Sequence, residues 1–127
     1  MLYRAGRTTT YPEDPVEKGV RFHFLGGAGE VGNVGCVIED HTGTKVLMDY
    51  GLAPTKPPKY PSEAPLMDHA VITHSHIDHI GMAPWLVGHH GTTLHGSRLT
   101  SNLSEIMWRD TYKAVSYTHL RAHETID

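Results

Sequence analysis

The 127-residue sequence predicts an α/β fold, on three observations. Val20, Phe22 and Phe24 alternate with Arg21 and His23, the period of two that marks a half-buried strand. Two further β-type runs, residues 35–39 and 45–48, flank the turn signal His41-Thr42-Gly43 and read as a hairpin. Downstream the apolar spacing lengthens to a helical period over residues 80–87 and 101–114, interleaved with short apolar runs at 68–73 and 92–95 that read as buried strands.

Taken in chain order, residues 1–18 combine Thr8 to Thr10, Pro12, Pro15 and several charges without either period, and are expected to form a mobile leader. The glycines Gly26, Gly27, Gly29 and Gly32 follow the first strand and call for a tight loop of close backbone approach. Gly27-Ala28-Gly29-Glu30-Val31-Gly32 has the spacing of a dinucleotide fingerprint, but that motif opens a helix, whereas residues 33–39 read as strand, so nucleotide binding is set aside. Pro57, Pro58, Pro61 and Pro65 make residues 56–65 an extended, irregular connection. Pro84 is tolerable only in the first turn of its helix. Ser101 is the candidate N-cap of the last helix, with Glu105 behind it and Leu103, Ile106 and Met107 at helical spacing.

The string at 115–125, VSYTHLRAHET, is similar to one translated frame of a transposase adapter used in short-read sequencing. Residues 115–127 are therefore read as an adapter-derived tail and kept out of the functional reading, which assigns 1–18 to the leader and 19–114 to a partial domain. Without the tail the net charge moves from −3 to −2, with ten basic and twelve acidic residues. Such a balance carries no electrostatic footprint of nucleic acid, though it does not exclude one. Cys36 is the one cysteine, so neither an intrachain disulfide nor a thiolate metal cluster can form, and it is expected to be a small buried apolar group in a reducing compartment. No run reaches the roughly 18 apolar residues of a membrane span, and cytoplasmic residence is the default.

The chemistry concentrates in Thr73-His74-Ser75-His76-Ile77-Asp78-His79-Ile80-Gly81, which packs three histidines and a carboxylate into six positions after a predicted strand. Side chains two apart on extended backbone point the same way, so His74 and His76 can grip one cation. Asp78 and His79 fall where the chain turns into helix and can reach a second. Neutral imidazole with carboxylate suits Zn²⁺, with Mn²⁺ or Fe²⁺ as substitutes, rather than Ca²⁺. A single histidine would more simply be a solvated or structural side chain; the spaced set, bounded by a buried strand and Gly81, argues for metal.

The His-x-His-x-Asp-His string resembles the second motif of the metallo-β-lactamase superfamily, and Leu47-Met48-Asp49-Tyr50-Gly51 resembles its first, an aspartate ending a strand. The resemblance implies the N-terminal half of an αββα sandwich and a centre of two zinc ions. In that centre His74 and His76 would bind one metal, Asp78 and His79 the other, and Asp49 would orient the cluster from behind. Asp78 would also lie beside the catalytic water. Residues 24–32, Ile80-Gly81-Met82-Ala83-Pro84 and residues 103–110 are similar to the β-CASP ribonucleases, the RNA-processing branch, which implies hydrolysis of RNA phosphodiesters with RNA as partner. A homodimer is compatible with this resemblance and is not specified by it. The family's further histidine, bridging aspartate and β-CASP insertion have no counterpart before Ala114. His89, His90 and His95 precede the helix that family members also have here and are read as surface or loop residues. This chain by itself is accordingly expected to be inactive, to bind zinc weakly and to be partly unfolded or aggregating. Two other readings stay open: a thioester or lactam hydrolase of the same superfamily, and a non-catalytic RNA-processing scaffold subunit.

Overall fold

The computed structural model describes residues 11–119, with side chains as far as residue 112. Strands β1 (Val20–Gly26), β2 (Gly35–Asp40) and β3 (Lys45–Tyr50) are followed by β4 (His69–Val71), helices α1 (Ile77–Ile80) and α2 (Ala83–His90), β5 (Thr93–His95) and the long helix α3 (Arg98–His119). The five strands lie side by side in chain order. The first three pair antiparallel through short connections, as the hairpin signal predicts. The last three pair parallel, which needs longer crossovers: the proline-rich segment between β3 and β4, then α1 and α2 between β4 and β5.

The sheet has one covered and one open face. Val37, Leu47, Ala70 and Leu94 stand in register across β2, β3, β4 and β5. The first three are wholly buried and join Tyr50, Leu52, Met82, Trp85 and Leu86 in the main core. The opposite register rows, Phe22–Ile38–Val46 and Phe24–Cys36–Met48, form the open face, where Phe22 and Phe24 are 63% and 54% exposed. The alternation of β1 is thus real, but its covered side is the polar one, Arg21 and His23. Their cover is supplied by Tyr11, whose ring meets His23 edge-on and lies near the Arg21 guanidinium. Tyr11 hydrogen-bonds Glu39, and Arg21 pairs with the same carboxylate at 3.3 Å. Tyr11 therefore anchors the described part of the predicted leader to the sheet; residues 1–10 lie outside the described residues.

Several sequence expectations shift. The helix predicted over 80–87 is two helices, because the Met82 amide donates to the Tyr50 carbonyl at 2.8 Å while the Asp78 carbonyl it would otherwise reach accepts from Val34. Pro84 falls in the first turn of α2, as required of it. The last helix starts three residues early: Ser97, not Ser101, accepts the amide hydrogen of Thr100 at 3.0 Å and is the N-cap. It also runs past Ala114 to His119, since no proline or glycine interrupts a helix already nucleated; residues 120–127 of the predicted tail lie outside the described residues. Cys36 is half-buried on the open face rather than inside, and burial still pushes its thiol up. Residues 33–39 are loop and strand, so the glycine loop opens no helix.

Glu39 is 6% exposed, and its hydrogen bond from Tyr11, reinforced by Arg21, holds its carboxyl below the usual carboxylate range. A depressed folded-state value means that the stabilisation is full above the unfolded value of about 4.3 and is lost as pH falls through the folded one. Glu39→Gln should lower the melting temperature at neutral pH and flatten the acid limb of the stability profile. Identical acid limbs for the two proteins would refute the assignment.

Candidate metal centre

The site is built at the sheet end where β1, β3 and β4 finish. Gly35 pairs with Tyr50 while Cys36 pairs with Met48, so Asp49 is an extra residue on β3, a β-bulge. Its φ of 64° lies in the left-handed region, which aspartate tolerates better than most residues. Bulges re-aim a side chain, and this one turns the Asp49 carboxylate, 4% exposed, towards the end of β4. A matching irregularity between Phe24 and Gly26 turns Leu25 into the core.

The histidine-rich segment then leaves β4, runs extended through His76 (φ −78°, ψ 144°) and closes into α1. Its backbone is stitched to neighbouring loops: the amides of Val34 and Leu52 donate to the carbonyls of Asp78 (3.0 Å) and Ile77 (3.1 Å). Such stitching needs a contact only glycine allows. A Cβ on Gly51 would lie 1.6 Å from the Asp78 carbonyl oxygen. On the far side, α3 satisfies carbonyls that α1 leaves open: the Trp108 indole donates to the Ile80 carbonyl at 2.6 Å and the Tyr112 hydroxyl to that of Gly81 at 2.7 Å. Tyr112 is deeply buried there, which pushes its hydroxyl well above the ordinary range.

These restraints bring the sequence-predicted residues together. The ring centroids of His74 and His76 are 4.7 Å apart, and those of His74 and His79 are 4.2 Å apart. His79 Nδ1 lies 2.8 Å from Asp49 Oδ2, and its Nε2 lies 3.9 Å from Asp78 Oδ1. An ionised carboxylate only accepts, so Nδ1 carries the hydrogen and Nε2 keeps its lone pair. Asp49 also accepts the Thr73 amide on Oδ1 and the Thr73 hydroxyl on Oδ2, each at 2.8 Å. The donor set, three imidazoles and a carboxylate with a buried carboxylate behind one imidazole, has the chemistry that a borderline divalent cation takes. The rings meet edge-on or tilted, and among the described residues no three donors are set around a single point.

His89, His90 and His95 stand apart from this cluster. His89 stacks on Trp85 at the end of α2, His90 meets the Ala64 carbonyl at 3.0 Å, and His95 pairs with His69 across β4 and β5. His89 and His95 are exposed, as the surface reading expects, and all three are helix or strand residues engaged elsewhere. Sequence reasoning missed Thr73, Gly51, Trp108 and Tyr112. Thr73 was adjacent to the motif and Gly51 ended the Asp49 string, so both were visible; the two aromatics act on α1 from 28 and 31 residues away, and no local signal marked them.

No protein-family model matches the chain. It is 31% identical over 94 residues to an RNase J-like protein of Methanocaldococcus jannaschii, a match that covers 72% of this chain and 21% of the relative. It is 34% identical over 122 residues to the transcription termination factor FttA of the same organism (87% and 19%), and 30% identical over 113 residues to RNase aCSPSF2 of Saccharolobus solfataricus (82% and 23%). The chain thus spans about a fifth of the length of these curated relatives. Among solved structures it is similar to an archaeal metallo-β-lactamase superfamily protein from Sulfolobus tokodaii, with 17% identity, a TM-score of 0.41, and coverage of 87% of this chain and 46% of that one.

Two substitutions probe the architecture. Gly51→Ala should cost about 3 kcal/mol or more, at or beyond the upper end for overpacking, because backbone rather than a flexible side chain must move. Asp49→Ala takes the acceptor from the Thr73 amide and hydroxyl and from His79 Nδ1, in a half-buried setting, and should cost about 1 kcal/mol or more. Denaturant melts of both variants measure this, and wild-type midpoints would show that the turn is not held as described.

Proposed function

We propose, on the premise that this chain belongs to the metallo-β-lactamase superfamily in its β-CASP RNA-processing branch, that residues 19–114 are the metal-binding segment of a metal-dependent ribonuclease. The observation that carries this is the gathering of His74, His76, Asp78 and His79 at the end of β4, with buried Asp49 hydrogen-bonded to His79. In this reading the centre takes two zinc ions: His74 and His76 hold one, Asp78 and His79 the other. Bound divalent cations would supply a water made acidic enough to ionise near pH 7 and a clamp on the phosphoryl oxygens.

The chain's own residues do the remaining work. Asp49 holds the hydrogen on His79 Nδ1, so that Nε2 stays free to donate its lone pair. Asp78, about one-third exposed at the start of α1, would help hold a cation and would offer a carboxylate oxygen as proton acceptor there. The bonds from Val34 and Leu52 to α1 keep the turn from relaxing away from the sheet. RNA as substrate belongs to the same reading and is supported by the relatives named as RNases, while cytoplasmic residence remains the default expectation from the sequence. No helix among the described residues is long and apolar enough to cross a membrane.

Metal titration by calorimetry and an RNA cleavage assay, both on the protein extended to the length of its relatives, test the proposal. His76→Ala should lose zinc binding in the first assay and metal-dependent cleavage in the second. Normal turnover by His76→Ala with its full complement of metal would overturn the assignment.

A further inference from the structure

We infer that Thr73 is a positioning residue that sets which nitrogen of His74 is left bare, through a hydrogen-bond relay ending on Asp49. The Thr73 hydroxyl oxygen has two polar neighbours, Asp49 Oδ2 at 2.8 Å and His74 Nδ1 at 2.9 Å. A hydroxyl has one hydrogen to give and lone pairs to receive. The carboxylate oxygen has none to give, so the hydroxyl hydrogen must point at Asp49; the opposite choice would press two oxygen lone pairs together at 2.8 Å. The hydroxyl then faces His74 with a lone pair only, and Nδ1 must be the protonated nitrogen of that ring. His79 reaches the same state directly, through its own bond to Asp49 Oδ2.

One buried carboxylate therefore dictates the tautomer of two imidazoles, one at first hand and the other through Thr73. Both rings are left with a bare Nε2, the nitrogen a cation needs. The bias is opposite to that of free neutral imidazole, which keeps its hydrogen mainly on Nε2. The Thr73 amide bond to Asp49 Oδ1 makes a separate contribution that does not involve the hydroxyl, so the threonine's two roles can be parted. The benefit for catalysis rests on the proposed function; the tautomer assignment does not.

The test is ¹⁵N NMR of the histidine rings in the metal-free protein extended to the length of its relatives, above the pH at which imidazoles are charged, with zinc affinity by calorimetry alongside. Wild type should show His74 and His79 both protonated at Nδ1. In Thr73→Val, which keeps the amide bond, His74 should move to the Nε2-protonated form while His79 stays unchanged. Thr73→Ser should restore the wild-type pattern. Zinc affinity should fall about 10–100-fold in Thr73→Val, the usual effect of removing an outer partner of a ligand, and recover in Thr73→Ser. Finding His74 protonated at Nε2 in wild type overturns the relay, and that measurement stands even if Thr73→Val fails to fold. An unchanged His74 tautomer in folded Thr73→Val does the same. The assigned tautomers in an extended protein that binds no zinc would uphold the relay and defeat the metal-site reading.

Discussion

The site depends on a single buried acceptor. Asp49 takes three hydrogen bonds, from the Thr73 amide, the Thr73 hydroxyl and His79 Nδ1, and so joins the end of β3 to both ends of the histidine turn. A buried carboxylate is costly unless its lone pairs are filled, and here filling them is what orders the turn. The carboxylate reaches that position because β3 carries a bulge with left-handed backbone at Asp49. Local strain and site order are two sides of one arrangement.

Around that acceptor the chain relies on close backbone approach more than on side-chain packing. Gly51 and Gly81 let the loop after β3 run against α1, and amide–carbonyl bonds through Val34 and Leu52 fasten it there. The four-residue α1 is too short to hold itself; α3 steadies it by donating from Trp108 and Tyr112 to its last carbonyls. The sheet's other face presents Phe22 and Phe24 more than half exposed beside Cys36, Ile38 and Met48.

Much of this was legible from residue order. The alternation in β1, the His41-Thr42-Gly43 hairpin signal and the proline-rich connection all fall where the sequence places them, because each is a local property of backbone and neighbouring side chains. Helix boundaries were less legible. Ser97 and Ser101 are equally good caps by composition, and what separates them is which hydroxyl faces an open amide, a question of geometry. The same holds for the break between α1 and α2, which comes from the Met82 amide turning to the carbonyl of Tyr50, a residue 32 positions upstream.

The sequence by itself determined the three imidazoles and the carboxylate and their spacing on a strand-to-helix turn, since these follow from residue type and short-range period; Asp49 behind them came only from the family resemblance. Tertiary structure alone decided which side of β1 is covered, where the first helix breaks, and that Thr73 links His74 to the same carboxylate that holds His79. The physical reason is distance along the chain: hydrogen-bond partners 24 and 30 residues apart meet only when β3 and β4 pair, and no local pattern encodes which lone pair will face which hydrogen.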